Sequence, residues 1–349
     1  DQGMDADRVG ILLGAGMWAR LFTPFVGAWA DRHGHGPQLA LGLAVGVLAS
    51  LGAFSWAEGF AALFVWSLVL GLAFAPIMPL VDGLALTAAA KHELDYGRVR
   101  LWGSAAFIVA TIAGGAALEG RSSALVLLTL QLAALALVAA TGGLLRARAP
   151  RPTTEAVAIR DVVRRPGMRT LLGAVACLQG GHAVLYGFGS EDWLAAGIDA
   201  STIGWLWAIG VIAEVVLFAF GERVVARIGA PGLLVIAGLG GMIRWTTLAE
   251  VHAIIPLFAL QILHAASFAA MHLGAMSWIR RSLAGAELHR ATGLYVAVAG
   301  GLALGLGMPL AGVLYERWHG AAYHAMTFFA AMGTWLALRL RARERGCAW

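Results

Sequence analysis

Apolar blocks of 18 to 25 residues recur along all 349 residues of the chain, and only short polar breaks separate them. About 20 apolar residues let an α-helix cross ~30 Å of hydrocarbon. In hydrocarbon every backbone N–H and C=O must be paired inside the protein, which leaves helices or a closed barrel, and blocks this long are helices. The sequence therefore predicts eleven spans, over 9–30, 38–56, 60–89, 98–118, 123–145, 168–189, 201–221, 231–249, 253–279, 291–314 and 321–340. The third is long and holds Pro76 and Pro79, so a kink is expected there. A chain that is 60% hydrophobic and 13% charged, with a mean hydropathy of +0.77, is not an ordinary soluble domain. Its 46 glycines suit helices that approach closely in lipid.

The basic residues are distributed unevenly. Of 25 Lys and Arg, twenty fall in the alternate loops 31–37, 90–100, 146–169, 222–230, 280–290 and 339–349. The other loops hold only Arg8, Arg121 and Arg317, and Arg20 and Arg244 lie within spans. Such asymmetry marks the first set as cytoplasmic and places the C-terminus on that side. It also accounts for the pI near 9.8 without a nucleic-acid partner. Cys177 and Cys347 make no disulfide framework, no His/Asp/Glu pattern has metal-ligand spacing, and no phosphate-binding Gly-Lys-Ser/Thr loop occurs. No cofactor, no metal and no ATP-driven step is expected.

The polar stretch 146–167, with three Pro, separates five spans from six. It divides the chain into an N-terminal bundle (1–148), a cytoplasmic linker (149–167) and a C-terminal bundle (168–349). The middle of the linker, Thr154 to Arg165, is a candidate short interfacial helix. The halves echo one another: Gly27-x-x-x-Asp31-Arg32-x-Gly34 follows the first span, and Gly221…Arg227-x-Gly229 follows the seventh, at an offset of 195 residues. Equivalent halves would each own six spans, so one further helix is expected ahead of the first. Parallel repeats with a site between them at mid-depth are a transporter design.

Arg20, Asp82, Glu214, Arg244 and His264 fall near mid-depth in these spans. A charge there costs roughly 2.5–3.5 kcal/mol, so such residues normally face a bundle interior and mark a substrate or ion path. Arg100, Ser104, Phe107 and Thr111 recur at i, i+4, i+7 and i+11, one face of a helix. A guanidinium, a hydroxyl and a ring on one stripe suit a carboxylate with an aromatic body, because the planar fork of Arg pairs bidentately with carboxylate. The competing reading of Arg100 is a side chain that snorkels to headgroups. For Arg20 it is an ion pair with Asp82. Trp207 and Glu214, seven apart, share a face; burial favours the uncharged acid, whereas Arg244 favours the carboxylate. A reversible proton carrier and a permanent Glu214–Arg244 latch both fit. His264 titrates near neutral pH in water; His272, eight residues on, reads as structural. His182 with Gln179 reads as a polar wall. Arg20, Arg100 and Arg244 against Asp82 and Glu214 leave a surplus positive charge, which favours an anionic cargo over a neutral one.

The segment from Gly27 through Asp31 and Arg32 to Gly34 resembles the cytoplasmic signature of the major facilitator superfamily, where it follows the second of twelve helices. Leu94-Asp95-Tyr96-Gly97-Arg98-Val-Arg100-Leu-Trp102-Gly103-Ser104, with Leu178-Gln179-Gly180-Gly181-His182-Ala183, Tyr186-Gly187-Phe188 and Gln261-Ile-Leu-His264, is similar to the lactose-permease-like branch. Within that branch the 3-phenylpropionic acid transporter family is nearest. The resemblance implies an all-α membrane protein of the major facilitator fold, two pseudo-symmetric bundles with eleven of twelve helices present and the first missing. It places sugar-holding residues of the permease on Asp82 and Arg100, with a stacking Trp on Phe107. Its substrate and proton-coupling residues fall on Glu214, Arg244 and His264. Its proton-binding Glu falls on Ser267, and two lysines fall on Gln261 and Gly300.

The expectation is thus a monomeric, multi-pass symporter of the bacterial cytoplasmic membrane, whose partners are a small molecule, protons and lipid. Its cargo is an aromatic monocarboxylate such as 3-phenylpropionate. Substrate binding is expected of Arg20, Asp82, Arg100, Phe107 and His182, proton coupling of Glu214, Arg244 and His264, and gating of Gly27, Asp31, Arg32 and Gly34. A sugar or nucleoside symporter using Asp82 and Arg100 stays open, as does a membrane-embedded enzyme with His264 and Glu214 as acid and base.

Overall fold

The computed structural model describes residues 3–91, 96–121, 124–146 and 158–346, without the side chains of Asp31, Thr87, Ala90, Lys91, Tyr96, Gly97, Arg98 and Arg100. Among the described residues all regular structure is helical. The first half comprises α1 (Ala6–Trp18), α2 (Thr23–His33), α3 (Gly36–Ala53), α4 (Gly59–Phe74), α5 (Ile77–Lys91), α6 (Tyr96–Leu118) and α7 (Ala124–Gly143). A linker helix α8 (Ile159–Arg164) leads to the second half. This holds α9 (Met168–Gly180), α10 (Ala183–Ala195), α11 (Ala200–Ala219), α12 (Gly221–Ile228), α13 (Ala230–Leu248) and α14 (Ile254–Ile262). It ends with α15 (Ala270–Ser282), α16 (Gly285–Val296), α17 (Leu304–Trp318) and α18 (Tyr323–Glu344).

These helices join into ten apolar stretches long enough to cross a membrane, the last of which, Gly285–Glu344, is 60 residues. It breaks at His319, whose φ of 46° ends α17, so it makes two legs. The expected kink is present: α4 stops at Phe74 and α5 starts at Ile77, across Pro76. Other breaks carry no proline signal. A 3-10 turn (Ala19–Leu21) divides α1 from α2, and Gly181 and His182 divide α9 from α10. π-helical turns at Ala265–Ala269 and Ala297–Ala303 join α14 to α15 and α16 to α17. Extra residues in a helical turn redirect side chains and recur at functional sites.

Each half has its own buried core. In the first, Ala44, Val47, Leu51, Ala73, Ile77 and Ala134 bring α3, α4, α5 and α7 together. The second half holds two larger clusters, one around Met168, Leu171, Leu234 and Trp278, the other around Phe188, Trp193, Trp245 and Tyr323. Of the candidate linker helix from Thr154 to Arg165, the described part is helical as α8, and residues 154–157 lie outside the described part. Val162 anchors it, fully buried in the second-half core, and Arg165 pairs with Glu287 at its end. Residues 147–157, most of them in the linker, lie outside the described part. The echo between halves is visible in the backbone: Gly34 and Gly229, 195 residues apart, end α2 and α12 with φ of 66° and 78°, which a residue with a Cβ adopts only under strain.

The halves close against each other on the face opposite the basic loops. α1 packs along α17 and α6 along α11. A Cβ on Gly10 would stand 2.5 Å from the carbonyl oxygen of Met308, and one on Gly115 at 2.5 Å from that of Ala200. On Gly204 it would stand 2.4 Å from the carbonyl oxygen of Thr111. The N–H of Ala6 donates to Glu316 Oε2 at 2.6 Å. Past the break at residues 19–21, α2 packs on α3 of its own half. Because the neighbours at Gly204 are backbone, no rotamer change makes room. Gly204→Trp is expected to hold this face open, lengthening the distance between spin labels placed at the ends of α6 and α11 on this side. An unchanged label distance in a folded variant would refute the assignment of this contact to closure.

Candidate functional site

A cavity of about 650 Å³ lies between the halves, within the usual range for small-molecule sites. Met78 of α5 and Ser104, Phe107 and Thr111 of α6 line one side. Tyr186 of α10, Trp207 of α11 and Phe268 of the first π-turn face them. Four polar side chains of the second half, Glu214, Arg244, Gln261 and His264, complete the wall. The site therefore joins an aromatic lining to one polar cluster.

That cluster is built around Arg244, which is 1% exposed, one turn before the end of α13. Its Nη2 donates to Gln261 Oε1 at 2.7 Å; its Nη1 donates to Ser267 Oγ at 3.1 Å and to His264 Nδ1 at 3.2 Å. Gln261, His264 and Ser267 sit at i, i+3 and i+6, carried onto one stripe by the end of α14 and the π-turn. An Arg has donors only, so His264 Nδ1 must accept and the ring proton sits on Nε2. Nε2 in turn stands 3.4 Å from Glu214 Oε2. Among the described residues no carboxylate is within ion-pair distance of Arg244 itself. The Glu214–Arg244 latch that the sequence left open is thus replaced by a relay, Arg244 to His264 to Glu214.

Aromatic rings hold the relay in place. His264 stacks on Phe268 with centroids 5.0 Å apart, and Trp207 is fixed by a bond from Nε1 to Ser190 Oγ at 3.0 Å. His272 bonds the Tyr295 hydroxyl at 2.8 Å, the structural role expected of it.

The remaining residues are spread more widely. Of the α6 stripe, Ser104, Phe107 and Thr111 face the cavity; the backbone of Arg100 continues that face one turn on, but its side chain lies outside the described part. Asp82 is half-buried on α5, one turn beyond Met78, and no ion pair with Arg20 forms. The guanidinium of Arg20 lies instead against Gly300 of the second half. His182 is 1% exposed and does not reach the wall: Nδ1 bonds the Leu178 carbonyl at 3.0 Å, and the ring packs behind Tyr186 and His264. Gly27, Arg32 and Gly34 lie along and just past α2, far along the chain from these contacts, with Arg32 exposed; the side chain of Asp31 is outside the described part. Sequence reasoning missed Met78 and Tyr186 as wall residues and Gln261 and Ser267 as partners of Arg244. The spacing of 261, 264 and 267 was the available signal for the latter pair.

Comparison with known proteins places this geometry in context. The model of the MFS_1 like family matches residues 1–328. The chain is 36% identical over 334 residues to the probable 3-phenylpropionic acid transporter of Escherichia coli (strain K12), covering 90% of this chain and 84% of that protein. It is 28% identical over 315 residues to the maltose permease of Geobacillus stearothermophilus, covering 87% and 78%. A solved structure of the nucleoside transporter NupG matches with a TM-score of 0.81 at 16% identity, covering 98% of this chain and 91% of that one. A point variant of NupG gives 0.82, with 98% and 92% covered. At that identity the likeness is one of fold, and the fold is that of the major facilitators.

Proposed function

The chain belongs to the MFS_1-like family, which makes it a multi-pass membrane transporter and not an enzyme, and on that premise we propose that it is a proton-coupled symporter of a small aromatic monocarboxylate such as 3-phenylpropionate. The observation that carries this reading is the buried guanidinium of Arg244, with no carboxylate in ion-pair range among the described residues, in a cavity whose wall also holds the rings of Phe107, Trp207 and Phe268. A cation without a carboxylate partner in low dielectric is best compensated by an anionic cargo. Phe107, Trp207 and Phe268 offer the apolar body of that cargo its contacts. The relative's name supports the same cargo. A sugar reading rested on Asp82 with Arg100, and Asp82 is not in the cavity wall.

The relay suggests where the proton rides. An imidazolium at His264 would turn Nδ1 into a donor facing the donors of Arg244, which costs the 3.2 Å bond and adds like-charge repulsion. A protonated Glu214 keeps an oxygen to accept from the Nε2–H of His264, 3.4 Å away. In the proposed cycle the cargo carboxylate binds near Arg244 and, from the α6 stripe, Arg100. A proton on Glu214 removes a second buried charge, and the loaded halves rock about the cavity. The described conformation is then the one closed toward the outside. The basic loops face the cytoplasm, the Gly27–Gly34 signature gates that side, and the carrier works as a monomer in the bacterial inner membrane.

Uptake into energised vesicles tests the cargo. Labelled 3-phenylpropionate is expected to accumulate with a pH gradient, and lactose and a nucleoside are not. Phe107→Ala should weaken 3-phenylpropionate binding by roughly 5- to 30-fold, the loss of about 1–2 kcal/mol of ring contact. An unaltered affinity in that variant would remove Phe107 from the site.

A further inference from the structure

A carboxylate in the cavity needs donors, and most of those on the second-half wall are already engaged. The guanidinium of an Arg carries five N–H bonds. In Arg244 both on Nη1 go to His264 Nδ1 and Ser267 Oγ, and one on Nη2 goes to Gln261 Oε1. Its Nε is buried out of reach of the cavity, with no partner among the described residues. One N–H is left, on a side chain that barely reaches the cavity surface. Gln261 turns its amide nitrogen into the protein, where it too is buried with no partner among the described residues. Trp207 Nε1 is bound to Ser190 Oγ at 3.0 Å, and His264 Nε2 faces Glu214 Oε2 at 3.4 Å. The bonds that hold Arg244 in place thus leave it little with which to grip a cargo.

Tyr186 differs from all of these. It is half-buried on α10 and lines the same cavity. Its hydroxyl is not sealed into the protein as Arg244 Nε and Gln261 Nε2 are, and it makes no hydrogen bond among the described residues. Two anchored rings pack on it. His182 stands 5.3 Å away between centroids, fixed by the bond of its Nδ1 to the Leu178 carbonyl at 3.0 Å. Trp207 stands 6.2 Å away, fixed by Ser190. The His182 ring is also 6.0 Å from that of His264, so Tyr186 and the polar cluster flank one buried imidazole. A ring held in this way, with an open hydroxyl, is a donor that loses little freedom when cargo binds.

We infer that the Tyr186 hydroxyl donates directly to the cargo carboxylate and is a determinant of the preference for an acid over its amide. A carboxylate has acceptors only, with about four lone-pair sites. From the second half, the last N–H of Arg244 and the O–H of Tyr186 fill two of them, and Arg100 approaches from the first half. A hydrogen bond to an ionised acceptor is roughly twice as strong as one between neutral groups. The same hydroxyl therefore gives more to the acid than to the amide. This assignment rests on the proposed anionic cargo.

Titration calorimetry of the purified full chain with 3-phenylpropionate and 3-phenylpropionamide tests it. Tyr186→Phe keeps the ring that packs on His182 and Trp207 and removes only the hydroxyl. It is expected to weaken binding of the acid by roughly tenfold or more and of the amide by about threefold or less. The ratio of acid to amide affinity should then fall by about threefold or more. A role in packing alone weakens both compounds alike, so a ratio that falls by less than this overturns the contact. Should the Phe variant not fold, 3-fluorotyrosine at position 186 preserves the shape and makes the hydroxyl a stronger donor. The ratio should then rise by roughly twofold, and an unchanged ratio overturns the contact. If the parent binds neither compound, the cargo reading fails and the contact with it. If the parent binds the acid and the ratio survives the change to Phe, the contact alone fails.

Discussion

Glu214→Gln is expected to abolish accumulation of cargo against its gradient while leaving exchange of internal for external cargo intact. Gln has the shape and hydrogen-bonding edges of the protonated acid, and it keeps a carbonyl oxygen for the Nε2–H of His264, which stands 3.4 Å from the present carboxylate. The variant is therefore fixed in the loaded-proton form. It can reorient with cargo, and it cannot release a proton on arrival. For one proton per monoanion the transported complex is neutral, so each unit of pH gradient is worth about 1.4 kcal/mol, or tenfold in concentration. At an imposed gradient of about two units the parent should approach a hundredfold accumulation by that arithmetic, and the Gln variant should stop near onefold. Labelled 3-phenylpropionate in proteoliposomes reports both quantities, accumulation with a pH gradient and counterflow without one. Because the complex is neutral, an imposed membrane potential should move neither. Undiminished accumulation in the variant would place the proton elsewhere, with His264 the next residue to examine.

Much of this arrangement was legible before any coordinates because lipid simplifies the code. Block length alone defines a span, and the spans found begin and end within several residues of those expected, apart from 168–189, which runs on to Ala195, and 291–314, which runs from Gly285 to Trp318. Cost made the relay legible: Glu214, Arg244 and His264 stand in apolar blocks where nothing but a partner or a task retains them. Their convergence follows from periodicity on three separate helices. The stripe of Ser104, Phe107 and Thr111 was readable in the same way, from spacing on α6.

What stayed hidden involves departures from ideal helix. The turn at Ala19–Leu21 carries Arg20, whose guanidinium lies against Gly300 of the other half, and the expected ion pair with Asp82 does not form. His182 sits at the junction of α9 and α10, where its ring turns into the core behind Tyr186 instead of joining the wall. The 261, 264 and 267 spacing signalled a shared stripe, but the π-turn that carries Ser267 to Arg244 had no sequence signal of its own. Glycines conceal the most. Their meaning at 204, 300 and 301 depends on which residue of the other half arrives there, and no local pattern encodes that.

Arg244→Met is expected to reduce binding of 3-phenylpropionate by more than a hundredfold and to change thermal stability little. Two effects on stability oppose each other. Met removes a fully buried charge whose desolvation is worth several kcal/mol and which no carboxylate among the described residues repays, so replacement by an apolar side chain of similar volume is favourable. Against that, Gln261 Oε1, Ser267 Oγ and His264 Nδ1 lose a donor, at about 1–3 kcal/mol for each that stays dry. Gln261 and His264 flank the cavity, where water replaces part of the loss, so the sum lies near zero and Tm should move by only a few degrees. Binding has no such compensation, because the cavity loses the cation that offsets the cargo carboxylate and also the donor that fixes the His264 tautomer. Arg244→Lys should recover part of the affinity for the acid, since it restores charge without the bidentate fork. The affinity for 3-phenylpropionamide, weak in the parent, should change less than threefold in either variant. A Met variant that unfolds well below the parent while its residual folded fraction binds the acid normally would show Arg244 to be a structural strut, and the anion reading would lose its foundation.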